Sequence, residues 1–357
     1  MTILHIVTSS KCWAGMEQYT HDVALGAIER GHRVVFVVRN DGNKVQDRLG
    51  KLGRVYELSL FSKYDLISIF ALRKIIKAEK IDVVHTHQPK NIFQIYWALR
   101  GIGRKVLMIH TAHFELRRTS PHSQYSKIFD MPDTLIAVSE FVRNKILEVY
   151  PNLNPHKVVT IHNSIDPRRL KHVAKRENKQ FTIGFGGRIV PEKGVEVLID
   201  AIAKLGNKEV RVVISGTGNN SYIEELKSRI ALHALTPQFN FIGFVTDIGT
   251  YISDIDIGVV PSVWSEPIGL MLLEYMASGV AVVASNRGGP CEVIDNGQDG
   301  ILFETGNSDA LSEALAHLIN DNEYRKEMGK KAAEKFNTKF SFPSFIDKIL
   351  AVYKTDQ

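Results

Sequence analysis

Two carboxylates raise the first question of chemistry. In SVWSEPIGLMLLEYMASG (262–279), Glu266 stands at the mouth of an apolar run and Glu274 lies inside it. Ile268, Leu270, Met271, Leu272, Leu273, Tyr275, Met276 and Ala277 leave a helix here almost no polar face, and a helix apolar all round belongs in the interior. A carboxylate in that setting needs donors to satisfy it, and ligand hydroxyls are candidates; the competing reading is an exposed position on an amphipathic helix. On a continuous helix the two groups would stand roughly 12 Å apart along the axis and about 80° around it. That is too far to share a proton or a metal ion, and suits the two ends of a long polar ligand. Pro267 is expected in the first helical turn, where free N–H groups favour an anion or a sugar oxygen.

Cations come from GGRIVPEKG (186–194), between a strand and a helix. Its glycines allow close backbone approach to a ligand, and Arg188 and Lys193 reach one point from opposite sides of the turn. Two fixed cations beside a helix N-terminus suit a diphosphate; alone, the segment also reads as a surface β–α loop. SGTG (215–218), NRGGPCEVI (286–294) and KCWAGMEQYTHDVA (11–24) are further glycine turns. Each is weak, but several converging on one cleft are more than chain turns require.

His85 and His87 form H-x-H at a strand end. Alternation puts both on one face, but no nearby carboxylate completes a metal site, and the metal reading is rejected. His110 and His113, in VLMIHTAHF, follow the fifth strand and offer a general base or a donor to developing charge. The D-x-D of SDIDIGV, Asp254 and Asp256, is likewise rejected as a metal pair, one residue falling in a turn and the other at an apolar strand start.

These groups must be held by alternating strands and helices. Strands are expected at 2–9, 33–38, 55–60, 82–87, 106–111, 134–139 and 158–163, then at 181–188, 211–218, 239–244, 255–262, 281–285 and 300–304. Helices are expected at Glu17–Arg30, Leu66–Glu79, Asn91–Leu99 and Glu140–Val149, then at Gly194–Lys204, Ser221–His233, Asp247–Ile252, Gly269–Ser278 and Asp309–Asn320. Apolar strands separated by helices indicate parallel sheets covered on both faces. The basic, apolar-poor stretch 166–180 reads as a linker between a first domain, 1–165, and a second, 181–340, with a short amphipathic helix in 341–357. Ligands of such sheets bind at the strand C-termini, so the cleft between the domains is the expected site.

The 357 residues suffice for two domains, and 44% hydrophobic with 24% charged residues is a soluble globular composition. No apolar run approaches the roughly 18 residues of a membrane span. The N-terminus reads as a strand rather than a signal peptide, and Cys12 and Cys291 make no metal spacing, so a reduced, cytoplasmic setting is expected. Residues 1–180 hold 29 Lys and Arg against 16 Asp and Glu, whereas 181–357 hold 16 against 23. The asymmetry points to a polyanionic partner for the first half, a membrane surface or nucleic acid. Nucleic acid would leave the C-terminal motifs unused, and no G-x-G-x-x-G follows the first strand as a dehydrogenase requires.

Taken together, these motifs resemble the retaining GT-B glycosyltransferases of glycosyltransferase family 4 over nearly the whole chain. Glu266 to Glu274 matches the family's E-x7-E signature, GGRIVPEKG its donor-diphosphate loop, and 241–262 with 285–303 its C-terminal half. The resemblance implies two Rossmann-like doubly wound α/β domains facing each other across a cleft. It implies a metal-independent enzyme, with no cofactor, that moves a hexosyl or N-acetylhexosaminyl group from a nucleotide-sugar, UDP-sugar first and GDP-mannose second, to a glycan or lipid-linked acceptor in cell-envelope polysaccharide or lipopolysaccharide synthesis. Glu274 would bind the ribose and Glu266 the sugar, with the amides of Ile268, Gly269 and Leu270 facing sugar and phosphate. Arg188 and Lys193 would neutralise the leaving diphosphate, and Gly15, Gly187 and Gly216 would line the donor site. His110 aligns with the family's cleft histidine, with His113 as its rival; Glu17, His87 and His113 are acceptor-side candidates.

The first loop departs from the family pattern, reading Ala14-Gly15-Met16-Glu17, and Asn163-Ser164-Ile165-Asp166 replaces N-G-(I/V)-D. Neither change removes a charge. The resemblance gives the basic first half a use, through Leu66–Glu79 and the loop 114–129, as a peripheral contact with anionic lipid at the inner face of the plasma membrane. A nucleotide-sugar 2-epimerase, or a partner subunit that binds nucleotide-sugar without turnover, remains the alternative.

Overall fold

Runs of Val, Ile and Leu without polar alternation are stable only when both faces are covered. Such runs form most of the thirteen strands in the computed structural model, which describes residues 1–8, 13–40, 45–113, 128–170 and 180–354. The chain divides into two compact units, one of Met1–Asn163 with Pro343–Gln357 and the other of Ser164–Phe342.

The first unit holds a seven-stranded sheet built from β1 (Thr2–Val7), β2 (Arg33–Arg39), β3 (Arg54–Leu58), β4 (Val83–Thr86), β5 (Leu107–Ala112), β6 (Thr134–Ala137) and β7 (Val158–Thr160). Its spatial order is β3-β2-β1-β4-β5-β6-β7, every pair parallel. The helices between are α1 (Gly15–Glu29), α2 (Val45–Leu49), α3 (Leu66–Ala78), α4 (Pro89–Leu99) and α5 (Glu140–Val149). Leu4, Ile6, Val35 and Val84 from the strands meet Leu72, Ile76, Ile92 and Ile95 from α3 and α4 in one core.

The second unit repeats the plan with six strands, β8 (Thr182–Gly186), β9 (Arg211–Ser215), β10 (Phe239–Gly243), β11 (Ile257–Val260), β12 (Ala281–Ser285) and β13 (Ile301–Phe303). They lie in the order β10-β9-β8-β11-β12-β13, again parallel. Its helices are α6 (Val195–Leu205), α7 (Asn220–Leu232), α8 (Ile248–Ser253), α9 (Leu270–Ala277), α10 (Pro290–Val293), α11 (Ser308–Asn320) and α12 (Asn322–Lys339). In each sheet the order reverses once, between β1 and β4 and between β8 and β11. Loops leaving those strands diverge to opposite faces and open a crevice at the strand C-termini.

Several elements differ from the sequence reading, whose helices leave out α2, α10 and α12. The pattern of residues does not single out α12, because its eighteen residues are mostly Lys, Glu and Asn. Its buried stripe is narrow, Met328, Gly329, Ala332 and Phe336, and part of it is a glycine pressed against the backbone at Gly279. The stretch read as a linker also divides. Residues 171–179 lie outside the described ones, and Asp166 caps a one-turn helix at Pro167–Arg169; Ile165, read as the end of the first domain, is fully buried in the second unit's core.

The last helix, α13 (Phe342–Val352), belongs mainly to the first unit. Ile346 packs where a Cβ on Gly26 would lie, 2.5 Å away, and Arg30 Nε donates to Asp347 at 2.7 Å. Tyr353, just beyond the helix, is fully buried with its hydroxyl 2.6 Å from His85 Nδ1.

Candidate functional site

In the second unit, the loops after β8 and β11 meet at the point where strand order reverses. Glu266 is not on the helix but in the loop before it. Gly269 is the N-cap of α9, so Pro267 lies outside the first turn and the helical separation expected for Glu266 and Glu274 does not apply. Glu266 is 5% exposed and accepts hydrogen bonds from Lys193 Nζ at 2.5 Å, Ser262 Oγ at 2.9 Å and Trp264 Nε1 at 3.2 Å. Burial alone would raise its pKa. The Lys193 charge and these hydrogen bonds outweigh burial and hold the carboxyl below its ordinary value. Ser262 and Trp264 carry no spacing signal that marks them in advance.

Glu274 sits inside α9 and is buried, as the apolar run requires. Its carboxylate bonds to the guanidinium of Arg169, from the stretch read as linker. This pairing spans 105 residues, and no local pattern foretells it. Arg188 is exposed on the β8–α6 loop and makes no ion pair among the described residues. Lys193, by contrast, is committed to Glu266. The first-turn amides of α9 have no helical carbonyl to pair with, and Ile268 and Gly269 lead directly into them.

The glycine turns serve close approach of chain to chain. A Cβ on Gly216, whose φ is +136°, would lie 1.7 Å from the Gly187 carbonyl oxygen. A Cβ on Gly289 would lie 1.6 Å from the Pro267 oxygen, and Gly289 N donates to Glu266 O at 2.7 Å. Gly216 and Gly289 thus hold the loops after β9 and β12 against their neighbours, whereas a Cβ on Gly187 would meet only the Phe185 ring, at 3.8 Å. Of the D-x-D, Asp256 accepts from Thr182 N at 2.9 Å and Asp254 lies 3.9 Å from Arg211.

In the first unit the reversal between β1 and β4 gathers histidines. Register pairs His5 with His85. His5 Nδ1 lies 3.2 Å from His87 Nε2, and His87 Nδ1 lies 3.1 Å from His113 Nε2. His85 Nε2 lies 2.7 Å from Thr111 Oγ1. His5, His85 and His87 have the proximity of a metal-binding trio. The rings of His85 and His87 are tilted by only 34° at 4.4 Å. Lone pairs lie in the ring planes, so near-stacked rings do not aim them at one point, and both His85 nitrogens already have partners. The arrangement reads as a hydrogen-bonded chain. Burial drives His5 down to about 3 and His85 and His87 well below their ordinary value.

His110 lies within β5, not after it, and is 1% exposed, with Nδ1 2.9 Å from Thr86 Oγ1. Burial, with the nearby His113 as a lesser cause, lowers it to about 3. His113 follows the strand and is half-buried, its ring edge-on to Tyr19 at 4.7 Å. Of the two rivals, His113 is the more exposed among the described residues, and His110 is packed inside β5. Glu17 is buried at the start of α1, where it accepts from Ala14 N at 3.0 Å, and Gly15 is exposed beside it.

The fold and the site are those of a doubly wound α/β protein: two parallel sheets that each reverse strand order once, and in the second unit two buried carboxylates, Glu266 paired with Lys193 and Glu274 with Arg169. Residues 167–335 match the family described as glycosyl transferases group 1, and residues 13–169 match glycosyltransferase family 4. The chain belongs to this group 1, family 4 glycosyltransferase family. It is 25% identical to the capsular polysaccharide biosynthesis glycosyltransferase CapM of Staphylococcus aureus, over 99% of this chain and 97% of that one. It is 27% identical to an uncharacterized glycosyltransferase of Methanocaldococcus jannaschii, over 81% and 80% of the two. Among solved structures, HepE of Anabaena in complex with UDP and glucose superposes with a TM-score of 0.86 at 20% identity, over 99% of both chains. The fold is GT-B, and the protein is a glycosyltransferase.

Proposed function

We propose that the chain transfers a hexosyl or N-acetylhexosaminyl group, with retention and without a metal ion, from a UDP-sugar to a glycan or lipid-linked acceptor of the cell envelope; GDP-mannose is the second choice of donor. The observation that carries this reading is the buried Glu266–Lys193 pair beside the amides of α9. An ammonium has three N–H donors. Lys193 can therefore keep Glu266 and still meet a phosphate, joining the sugar-binding carboxylate to the leaving group. Arg188, exposed on the same loop, supplies the second charge, and Glu274, steadied by Arg169, takes the ribose hydroxyls.

In the transfer, the bond from the sugar's anomeric carbon to phosphate breaks and a bond to the acceptor oxygen forms. The acceptor proton passes to the departing diphosphate, whose growing charge Lys193 and Arg188 stabilise. His113 orients donor sugar or acceptor. The acceptor belongs to the first unit, and the working place is the cytoplasmic side of the membrane. A donor complex with UDP and glucose in a protein of the same fold supports the choice of base.

The test is a melting-temperature screen of UDP, GDP, ADP and CMP with their common sugar conjugates. Uridine ligands are expected to raise Tm in the wild type and to do so much less in Glu274→Ala and Arg169→Ala. With the acceptor in hand, EDTA is expected to leave the rate unchanged and the anomeric proton of the product to keep the donor's configuration. A shift with nucleotide but no transfer to any acceptor would favour the partner-subunit alternative, and the absence of a shift with every nucleotide would overturn the donor site.

A further inference from the structure

His5 is the inner end of a hydrogen-bonded line of rings in the first unit. Its Nδ1 lies 3.2 Å from His87 Nε2, and His87 Nδ1 lies 3.1 Å from Nε2 of the half-buried His113. The rings of His5 and His87 are inclined by only 9°, so the N–H and the lone pair of that contact lie in nearly one plane. The far nitrogen, His5 Nε2, is buried without a hydrogen-bond partner. Phe36, His85 and His87 neighbour His5 with rings inclined to it by 26°, 38° and 9°. None of the three turns its face to an N–H lying in the His5 plane, so none offers the weak N–H–π contact that could replace an acceptor.

Burial lowers His5 and His113 to about 3 and is the largest cause that holds His87 well below its ordinary value, so all three rings are neutral at neutral pH. A neutral imidazole has one N–H and one lone pair, and each of the two contacts needs one of each. Only two arrangements meet both conditions. Either every ring carries its proton on Nδ1, or every ring carries it on Nε2. The first leaves a bare lone pair at His5 Nε2, and the second leaves an N–H there with nothing to accept it. In protein interiors an orphaned N–H is rarer than an under-satisfied acceptor. Outside the two contacts the arrangements differ otherwise only at Nδ1 of the half-buried His113. The choice is therefore made at the buried end and expressed two rings away.

We propose that the closed inner end of this line fixes the proton of His113 on Nδ1. His113 is then a hydrogen-bond donor at that atom and has no role as a general base, because Nδ1 is already protonated and Nε2 is engaged with His87. A further proton would have to be held within the line as a buried cation. The ligand group that such a donor suits is an oxygen with a lone pair to offer, a sugar hydroxyl or, more strongly, a charged oxygen. His87 positions the proton and needs touch no ligand itself. The tautomer is a property of the first unit alone; only its use, in orienting donor sugar or acceptor, rests on the proposed function.

The test is a long-range proton–nitrogen correlation spectrum of the full chain, isotope-labelled at its histidine nitrogens. It is recorded at pH 7.5, above the range in which an ordinary histidine gains a proton. The two tautomers give distinct patterns, and each ring is assigned by its loss in the corresponding single substitution. In the wild type, His5, His87 and His113 are expected in the Nδ1–H form, the minor one for histidine free in water. His5→Phe closes the same end with an apolar wall and is expected to leave His113 in that form. His5→Ala opens a cavity beside His87 Nε2 that a water can enter. Either arrangement is then satisfied, and His113 is expected to move toward the Nε2–H form. A cooperative melting transition checks that each variant folds, and the wild-type spectrum needs no variant. Two outcomes overturn the proposal: a wild-type His113 with its proton on Nε2, or a His113 that stays fully in the Nδ1–H form in His5→Ala. The UDP melting shift on the same preparations reports the donor reading separately.

Discussion

Glu266 is buried and needs a partner, because an isolated buried charge shifts its pKa or destabilises the fold, and the partly exposed Lys193 supplies it. The histidines of β1, β4 and β5 follow the other course and stay neutral. His5 and His110 are lowered to about 3, and His85 and His87 are lowered well below their ordinary value, all chiefly by burial. An unfolded histidine titrates near 6.5. Below that pH the unfolded chain binds protons that the folded one refuses, so the stability these groups confer is full above about pH 6.5 and is lost as pH falls toward the folded values. At pH 5.5 each is expected to cost about 1 kcal/mol. Melting curves at pH 7.5 and 5.5 check this: Tm should fall clearly, and His5→Phe should flatten the dependence. A Tm that does not change with pH would mean that these rings already share a proton in the fold. Glu266 and Glu274 were legible in the sequence because an apolar run leaves a carboxylate conspicuous. Arg169 was not, since its partner is distant in sequence and arginine in a basic stretch looks like solvated surface.

At the scale of elements, what sequence patterns reveal depends on how many side chains carry the signal. The apolar runs of β1, β2 and β12 announce themselves by β-branched content, and the largest errors at strand ends came where the run continues into a loop, as at 158–163 against Val158–Thr160. α12 packs on α9, β12 and α11 but buries few large apolar side chains, Met328 and Phe336 with the small Gly329 and Ala332, and so escapes a hydrophobic count. The turns are harder again, because a glycine states that something comes close and not what. Gly216 faces the Gly187 carbonyl, so Gly216→Ala must move one of two loops that carry the proposed donor site. The expected loss is about 2–4 kcal/mol, or roughly 5–10 °C in Tm, with weaker UDP binding. An unchanged Tm in this variant would show that the two turns are less tightly locked than their geometry implies.

For the whole molecule, the decisive fact is that the first unit is made from both ends of the chain. Phe345, Ile346, Ile349 and Tyr353 are buried, and Tyr353 reaches His85 on the central strand β4. Ending the chain at Phe340 is expected to strip hydrogen-exchange protection from β1 and β4 while peptides of β8, β9 and β11 keep theirs. The milder Tyr353→Phe, which leaves one buried imidazole nitrogen unpartnered, is expected to cost about 1–3 kcal/mol in the same peptides. Equal loss in both sets would mean that the two units unfold together. The same connectivity sets an order of events during synthesis. The first unit's main segment ends at Asn163 and its missing piece begins at Pro343. At about 5–20 residues per second, the ribosome needs roughly 10–40 s to make what lies between. Throughout that interval the unit translated first stands open along α1 and β4, and at its end the unit translated second has its whole sequence before the first does. The part of the enzyme that begins first is the last to close, and in the growing chain it is the natural client for a chaperone.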